Sequence, residues 1–254
     1  MKKKATPMLV LTALIVAAVM AIGNTTTQTL PFSQNWSNTS LITVNNDWSS
    51  VPGIEGFFGE VTGTNTTGVD PQTLTADIGD GIPDVFANQS NPTTFTSGGP
   101  VEFDGIPNPT VAMQGSGTAD APHLIIHIVT LGKQTINLAY NLRDIDCQTN
   151  TGIIQQFVAQ YRIGGSGAWT NIAGSYVANA NDPAGSTCTM VTPISVALPA
   201  ACDNQTEVQI RIMTTNAVSN DEEIGVDDIL ITGADIPTAT HKGSWGKVKT
   251  IFRY

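Results

Sequence analysis

In several segments between Leu124 and Thr232 apolar side chains recur at every second position, and this period of two sets what the chain can fold into. Ile136, Leu138, Tyr140 and Leu142 share one face of an extended segment, with Thr135, Asn137, Ala139 and Asn141 on the other. Val208, Ile210 and Ile212 alternate in the same way with Gln209, Arg211 and Met213. Successive strand residues point to opposite faces, so the pattern predicts antiparallel strands with one packed face and one face in solvent. The clearest predicted strands are Leu124–Leu131, Gln134–Ile145, Ile153–Ile163, Trp169–Ile172, Met190–Leu198, Val208–Thr214 and Ile224–Thr232, with shorter pieces at Glu102–Phe103 and Thr110–Met113. Gly164–Gly167 supplies a hairpin loop and Leu131–Lys133 a tight turn. Helical periodicity is scarce. Many short strands joined by Gly- and Pro-rich turns predict an all-β fold, an antiparallel β-sandwich of jelly-roll-like form.

The chain opens with Lys2, Lys3 and Lys4, followed by an apolar run from Met8 to Ile22 broken only by Thr12. Ala21 and Gly23 place small residues at the −3 and −1 positions of a cleavage site. The run is about 15 residues, shorter than the roughly 20 needed to span a bilayer. Residues 1–23 therefore read as a cleaved signal peptide addressed to the export machinery, and no stable membrane span is expected. Residues 24–233 form the sandwich domain, and 234–254 a basic tail. Within 24–233, four basic side chains (Lys133, Arg143, Arg162, Arg211) stand against 20 acidic ones. A body this acidic repels phosphates, which excludes nucleic acid as a partner class.

The three cysteines, Cys147, Cys188 and Cys202, fit one disulfide and a spare thiol in an exported protein. No C-x-x-C spacing supports zinc. If successive strands reverse direction, the loops carrying Cys147 and Cys188 share one end and Cys202 lies at the other. A Cys147–Cys188 bridge closing a loop of about 40 residues would contribute roughly 3–4 kcal/mol.

Several segments together are familiar. They are Leu41-Ile-Thr-Val-Asn-Asn-Asp-Trp48, Val69-Asp-Pro-Gln-Thr-Leu74, Ala87-Asn-Gln-Ser-Asn-Pro92 and Gly115-Ser-Gly-Thr-Ala-Asp-Ala-Pro122, followed by Asn141-Leu-Arg-Asp-Ile-Asp146, Ala159-Gln-Tyr-Arg162 and Ile224-Gly-Val-Asp-Asp-Ile229. Over roughly residues 30–233 this resembles a family of β-sandwich domains in bacterial secreted proteins, sometimes placed ahead of an extracellular nuclease- or phosphatase-type domain. The resemblance implies export and a jelly-roll-like module. No such catalytic domain follows here, so that activity is not implied. The terminal Ser244–Tyr254 is similar to short tails of other exported bacterial proteins. As a helix it would place Trp245, Val248 and Phe252 together among basic side chains, a cationic amphipathic face.

Asp227 and Asp228 lie inside the last predicted strand, with Val226, Asp228 and Leu230 on one face and Asp227, Ile229 and Ile231 on the other. A bare carboxylate among apolar residues is costly. The similar Asp-Asp-Ile strand of MAM and carbohydrate-binding jelly rolls implies either a hydrogen-bonded structural Asp or a Ca²⁺ ligand. If first and last strands are neighbours, Asn46 and Asp47 would add oxygens to Asp227 and Asp228. Asp77–Asp84 ends like a thrombospondin-type Ca²⁺ repeat but lacks its preceding alternate carboxylates, so an isolated turn is the simpler reading. Asp221-Glu222-Glu223 reads as a solvated loop, or as help for a neighbouring cation. His123 and His127 share a strand face without the Glu of H-E-x-x-H, and no G-x-S-x-G occurs. Trp36, Trp48 and Trp169 are candidates for stacking on sugars or for the core.

These readings converge on a secreted, non-enzymatic module for extracellular or cell-surface binding and adhesion, Ca²⁺ being its one candidate cofactor. Its expected partner is an extracellular glycan or protein. A carbohydrate-binding module proper and a hydrolase with an unfamiliar site are the alternatives.

Overall fold

The computed structural model describes residues 22–60, 65–78, 81–146, 153–182, 188–218 and 221–237. The strands in chain order are β1 (Gln28–Thr29), β2 (Phe32–Gln34), β3 (Ile54–Phe57), β4 (Phe86–Gln89), β5 (Gly99–Phe103), β6 (Thr110–Gln114), β7 (His123–Val129), β8 (Lys133–Asp144), β9 (Phe157–Ile163), β10 (Thr170–Asn171), β11 (Val191–Ala197), β12 (Val208–Thr214) and β13 (Ile224–Asp235). They form two sheets. The first runs β1-β7-β12-β9-β10 with β3 also on β7; the second runs β11-β8-β13-β6-β5-β4 with β2 also on β13. The predicted strands are present within a few residues, and among the described residues the only helical segments are three short 3₁₀ turns. No helix among them is long and apolar enough to cross a membrane. The signal-peptide reading of residues 1–21 and the amphipathic reading of 238–254 lie outside the described residues.

The inward faces make one core. Ile136, Leu138, Tyr140 and Leu142 of β8 meet Leu124, Ile126 and Ile128 of β7 and Val208, Ile210 and Ile212 of β12. Trp36 and Trp48 belong to this core, their rings edge to face at 6.4 Å and 72°. The indole N–H of Trp36 donates to the Val226 carbonyl at 2.7 Å and that of Trp48 to the Asp84 carbonyl at 3.0 Å, so neither burial strands a donor.

Two expectations from strict alternation are corrected. The outer face of the first sheet is not a solvated face along its central strand: every residue of β12 is buried, Gln209 and Arg211 included. The segment ending at Ile78 lies over it, accepting hydrogen bonds from Arg211 through the carbonyls of Leu74 and Ala76. In β13, Val226, Ile229 and Ile231 all face the core, whereas Leu230 is exposed. A β-bulge is the reason. Asp227 pairs with Asn141 and Leu230 with Ala139, so three steps on β13 oppose two on β8. The extra residue reverses which face the following side chains take.

The bulge also marks a change of partner. Ile224–Val226 pair with β6, and Ile229–Ile231 pair with β2. Asp228 takes φ +50° there, the left-handed region that Asp tolerates better than most side chains.

β8 and β9 lie in different sheets rather than as a direct pair. The β8–β11 register nonetheless carries the residues before β11 to the end of β8, where the Asp144 amide donates to Met190 at 3.1 Å. Cys188 sits at that end and is not free. Cys202 is free and buried, at the opposite end, beside the turn after β7. Cys147 lies outside the described residues.

Candidate functional site

The residues expected to hold Ca²⁺ are not gathered in one place. Asp227 is buried, and its Oδ2 accepts from Arg143 Nη1 at 2.7 Å and from Asn108 Nδ2 at 3.2 Å. Its Oδ1 accepts from the Asp228 amide at 2.7 Å. Burial lifts the Asp227 carboxyl above its usual range, while the Asp228 amide and then Arg143 pull it down. Asp228 is exposed and accepts from Asn141 at 3.0 Å. The neighbour of β13 beyond the bulge is β2, not the segment around residue 46. Asn46 instead accepts from the Val85 amide at 3.3 Å, and Asp47 from the Ser49 amide at 2.9 Å. The Asp pair is thus a hydrogen-bonded structural feature that closes a bulge. Among the described residues no group of three or more His, Cys, Asp or Glu is poised as a metal cage.

The outer face of the first sheet carries chemistry that strand-by-strand reading missed. Glu55 and Phe57 from β3, His123, Ile125 and His127 from β7, Gln209 from β12 and Arg162 from β9 line a groove of about 310 Å³. A line of hydrogen bonds crosses its floor. His127 Nε2 meets Glu55 Oε2 at 3.0 Å, and His127 Nδ1 meets Gln209 Nε2 at 3.2 Å. Arg162 Nε donates to Gln209 Oε1 at 2.6 Å and its Nη1 to Asp77 Oδ1 at 2.6 Å. Asp77 Oδ1 also accepts from the Trp169 indole at 3.0 Å. The line has a direction. Arginine only donates, which assigns the Gln209 oxygen to Arg162 and turns its NH₂ toward His127. Nδ1 of His127 is then the acceptor, and Nε2 carries the proton given to Glu55.

The guanidinium groups of Arg162 and Arg211 lie 4.2 and 4.6 Å from the Trp169 ring centroid. Trp169 is 2% exposed, Trp36 3% and Trp48 0%, so the structure removes all three as open platforms for sugar rings. His123 stacks on Phe57 at 5.2 Å. Burial first, and Arg211 second, push its imidazole down to about 3, so it stands neutral at ordinary pH. The two histidines therefore serve separate structural roles instead of one metal. Asp77 of the Asp77–Asp84 segment belongs to the groove, and Asp80 lies outside the described residues. The sequence did hold a trace of the groove: long polar side chains at alternate positions on three strands that turn out to be neighbours. Only the sheet order brings them together.

A second cleft, about 400 Å³, opens at the β6 end of the sandwich between Thr67, Phe95, Gln114, Ser116, Asn216 and Asp221. Gln114 spans it, donating to the carbonyls of Phe95 and Asp221 and accepting from the Gly98 amide. The one thiol that is free among the described residues, on Cys202, is a poor nucleophile: burial, and then Asp203, push it up to about 12.

No family model matches the chain, and no curated protein matches it. Among solved structures it is similar to the K3 cleaved adhesin domain of Lys-gingipain from Porphyromonas gingivalis w83, at 14% identity over 75% of this chain and 98% of that one, with a TM-score of 0.40. It is similar to the xylan-binding module CBM15 at 12% identity over 76% and 97% of the two chains, TM-score 0.38. It is also similar to CBM28, a module specific for non-crystalline cellulose, at 12% identity over 59% and 97%, TM-score 0.35. Likeness at this level assigns no ligand to this chain.

Proposed function

We propose that this protein is an exported, non-catalytic binding module, and that its ligand is a hydroxyl-rich one, a glycan, seated in the groove on the first sheet. The observation that carries the reading is the floor of the groove. Glu55, His127, Gln209, Arg162 and Asp77 are planar polar groups locked to one another by hydrogen bonds, so their orientations are set before any ligand arrives. Preorganised donors and acceptors beneath a concave apolar-and-polar wall are what hydroxyl recognition needs, because little ordering entropy remains to be lost. Export, and the kinship with bacterial secreted sandwich domains, belong to the same proposal. The same locking argues for binding over catalysis. The groove histidines are occupied, His123 by the Ala121 carbonyl at 2.9 Å and His127 by Glu55 and Gln209.

Two glycines allow a test that leaves the core alone. A Cβ on Gly165, at the groove, would come no nearer than 3.5 Å to any neighbour, and one on Gly117, at the end cleft, would meet nothing within 4 Å. Affinity electrophoresis against a panel of soluble polysaccharides should show retardation of the wild-type protein. Gly165→Trp should abolish it and Gly117→Trp should leave it. Loss in Gly117→Trp alone would move the ligand to the end cleft, and no retardation by any polysaccharide would remove the glycan reading.

A further inference from the structure

Where β8 ends and β13 begins, acidic side chains accumulate. Asp144 and Asp146 lie at the end of β8, and the Ile145 amide donates to the Glu223 carbonyl at 3.1 Å, which ties the two segments together. Asp221, Glu222 and Glu223 lead into β13. Asp221, Glu222 and Glu223 are 8%, 1% and 0% exposed, and Asp144 and Asp146 are 3% and 2% exposed. Asp144 is satisfied by the amides of Asp146 and Asp182 at 3.2 and 2.8 Å, and Asp221 by the Ala217 amide. Glu222 and Glu223 differ. All four of their carboxyl oxygens are buried and meet no N–H or hydroxyl donor among the described residues, the Asp146 carboxyl beside Glu222 being the one polar group in reach. Asp146 stands next to both, being the charge felt most strongly by each.

The reading of this run as a solvated loop is thereby overturned, and the remaining question is what answers its charge. The four basic side chains of the described residues are committed elsewhere. Lys133 pairs with Asp235, Arg143 with Asp227 and Arg162 with Asp77. Arg211 is held by Gln160, Leu74 and Ala76. Buried carboxylates without a cation or a donor cost several kcal/mol each. Since no basic side chain of the described residues reaches it, protons or a bound cation are left to answer that charge.

We infer that this end of the sandwich binds a divalent cation, Ca²⁺ by the hardness of its donors, through the carboxylates of Glu222 and Glu223 beside Asp146. Every donor is oxygen, the set Ca²⁺ and Mg²⁺ take, and Ca²⁺ tolerates the irregular geometry of a strand end. No three of the carboxylates already form a cage. The ion itself removes the repulsion that holds them apart, and carbonyls and waters complete its shell. The inference stands apart from the glycan reading, since neither the groove nor its lining enters it.

The test is thermal unfolding of the full chain at pH 7.5 in CaCl₂ and in EGTA. Ca²⁺ at a hundredfold excess over Kd should raise the midpoint by about 5–10 °C. Glu222→Gln and Glu223→Gln should each abolish that rise, while their midpoints in EGTA stand above wild type because folding no longer has to protonate or bury a carboxylate there. This last readout shows that they fold. Asp227→Asn, at the bulge, should keep the response. The inference is overturned if EGTA changes nothing while acidification alone stabilises the protein, because protons then fill the place. It is equally overturned if Asp227→Asn abolishes the response and the two Gln variants keep it.

Discussion

Three residues separate two acidic pairs on one stretch of chain, and they meet burial in opposite ways. Asp227 is 1% exposed, yet Arg143, Asn108 and the Asp228 amide all reach it. Glu222 and Glu223 are as buried, and among the described residues no amide or cation reaches their oxygens, only the carboxyl of Asp146 beside Glu222. The difference lies in what the neighbouring strand offers. Opposite Asp227, β8 presents the odd-numbered face that carries Asn141 and Arg143, a donor face. Opposite Ile224, at the start of β13, β8 presents Asp144 and then Asp146, more carboxylates. A buried charge is tolerable where the register brings a donor, and becomes a binding feature where it brings its own kind.

The sharpest way to break the comparison is to make the first pair resemble the second. Arg143→Ala leaves Asp227 buried beside Asn108 with no cation. Breaking a buried ion pair by removing one partner costs about 3–5 kcal/mol, and the 17% exposure of the Arg143 side chain places this case toward the lower figure. Urea unfolding at pH 7 should show that loss, and adding Asp227→Asn to the same chain should recover part of it. If Arg143→Ala costs under about 0.5 kcal/mol, the range of ordinary surface substitutions, the bulge and not the ion pair holds this region.

The contrast also shows what could be read without a structure. The alternation of Ile136, Leu138, Tyr140 and Leu142 was a sound guide because each belongs to the core of an uninterrupted strand. In β13 the same rule failed after Val226, since a bulge is one inserted residue and leaves no compositional mark. Asp228 at φ +50° is its nearest signature, and it is legible only once such a conformation is sought. The Asp227 reading as hydrogen-bonded scaffold came from the cost of a bare charge, and its donor, Arg143, required the β8–β13 register. The pairing of Asn46 and Asp47 with β13 failed for a topological reason: β2 fills the place they were assigned. The groove was not legible, because its floor is drawn from β3, β7, β9 and β12, which become neighbours only through crossovers.

A subtler separation of the pairs is their response to pH in EGTA. Burial, followed by Asp146 and Asp144, raises Glu222 to about 8 from an unfolded value of 4.5. A carboxyl whose folded pKa is raised stays protonated while the unfolded chain ionises, so stability falls as pH rises from 4.5 to about 8 and is flat above. Glu223, raised for the same kinds of reason, acts in the same direction, as do Asp221 and Glu102, each raised to about 7 chiefly by burial. His123 opposes them only below its unfolded value of 6.5. Urea midpoints should therefore decline between pH 6.5 and 8.5 in EGTA. Glu222→Gln should shallow that decline and CaCl₂ should suppress it. An unchanged slope in Glu222→Gln would mean that its carboxyl is no more buried in charge than Asp227.

The smallest effect expected is at Asp228, and it isolates the backbone of the bulge from its charges. The residue is exposed, so removing its carboxylate leaves no buried group unpaired, and its bond to Asn141 is a surface contact. What the position does demand is φ +50°. Asp228→Gly should therefore change stability by only a few tenths of a kcal/mol, glycine meeting no steric penalty there. Asp228→Val should cost about 1–2 kcal/mol, because a β-branched side chain is strongly disfavoured in the left-handed region. Paired urea curves on the two variants decide the point. Equal losses in Gly and Val would assign the bulge to the Asn141 contact, and the reversal of faces after Val226 would then rest on a side chain instead of on the conformation that Asp228 accepts.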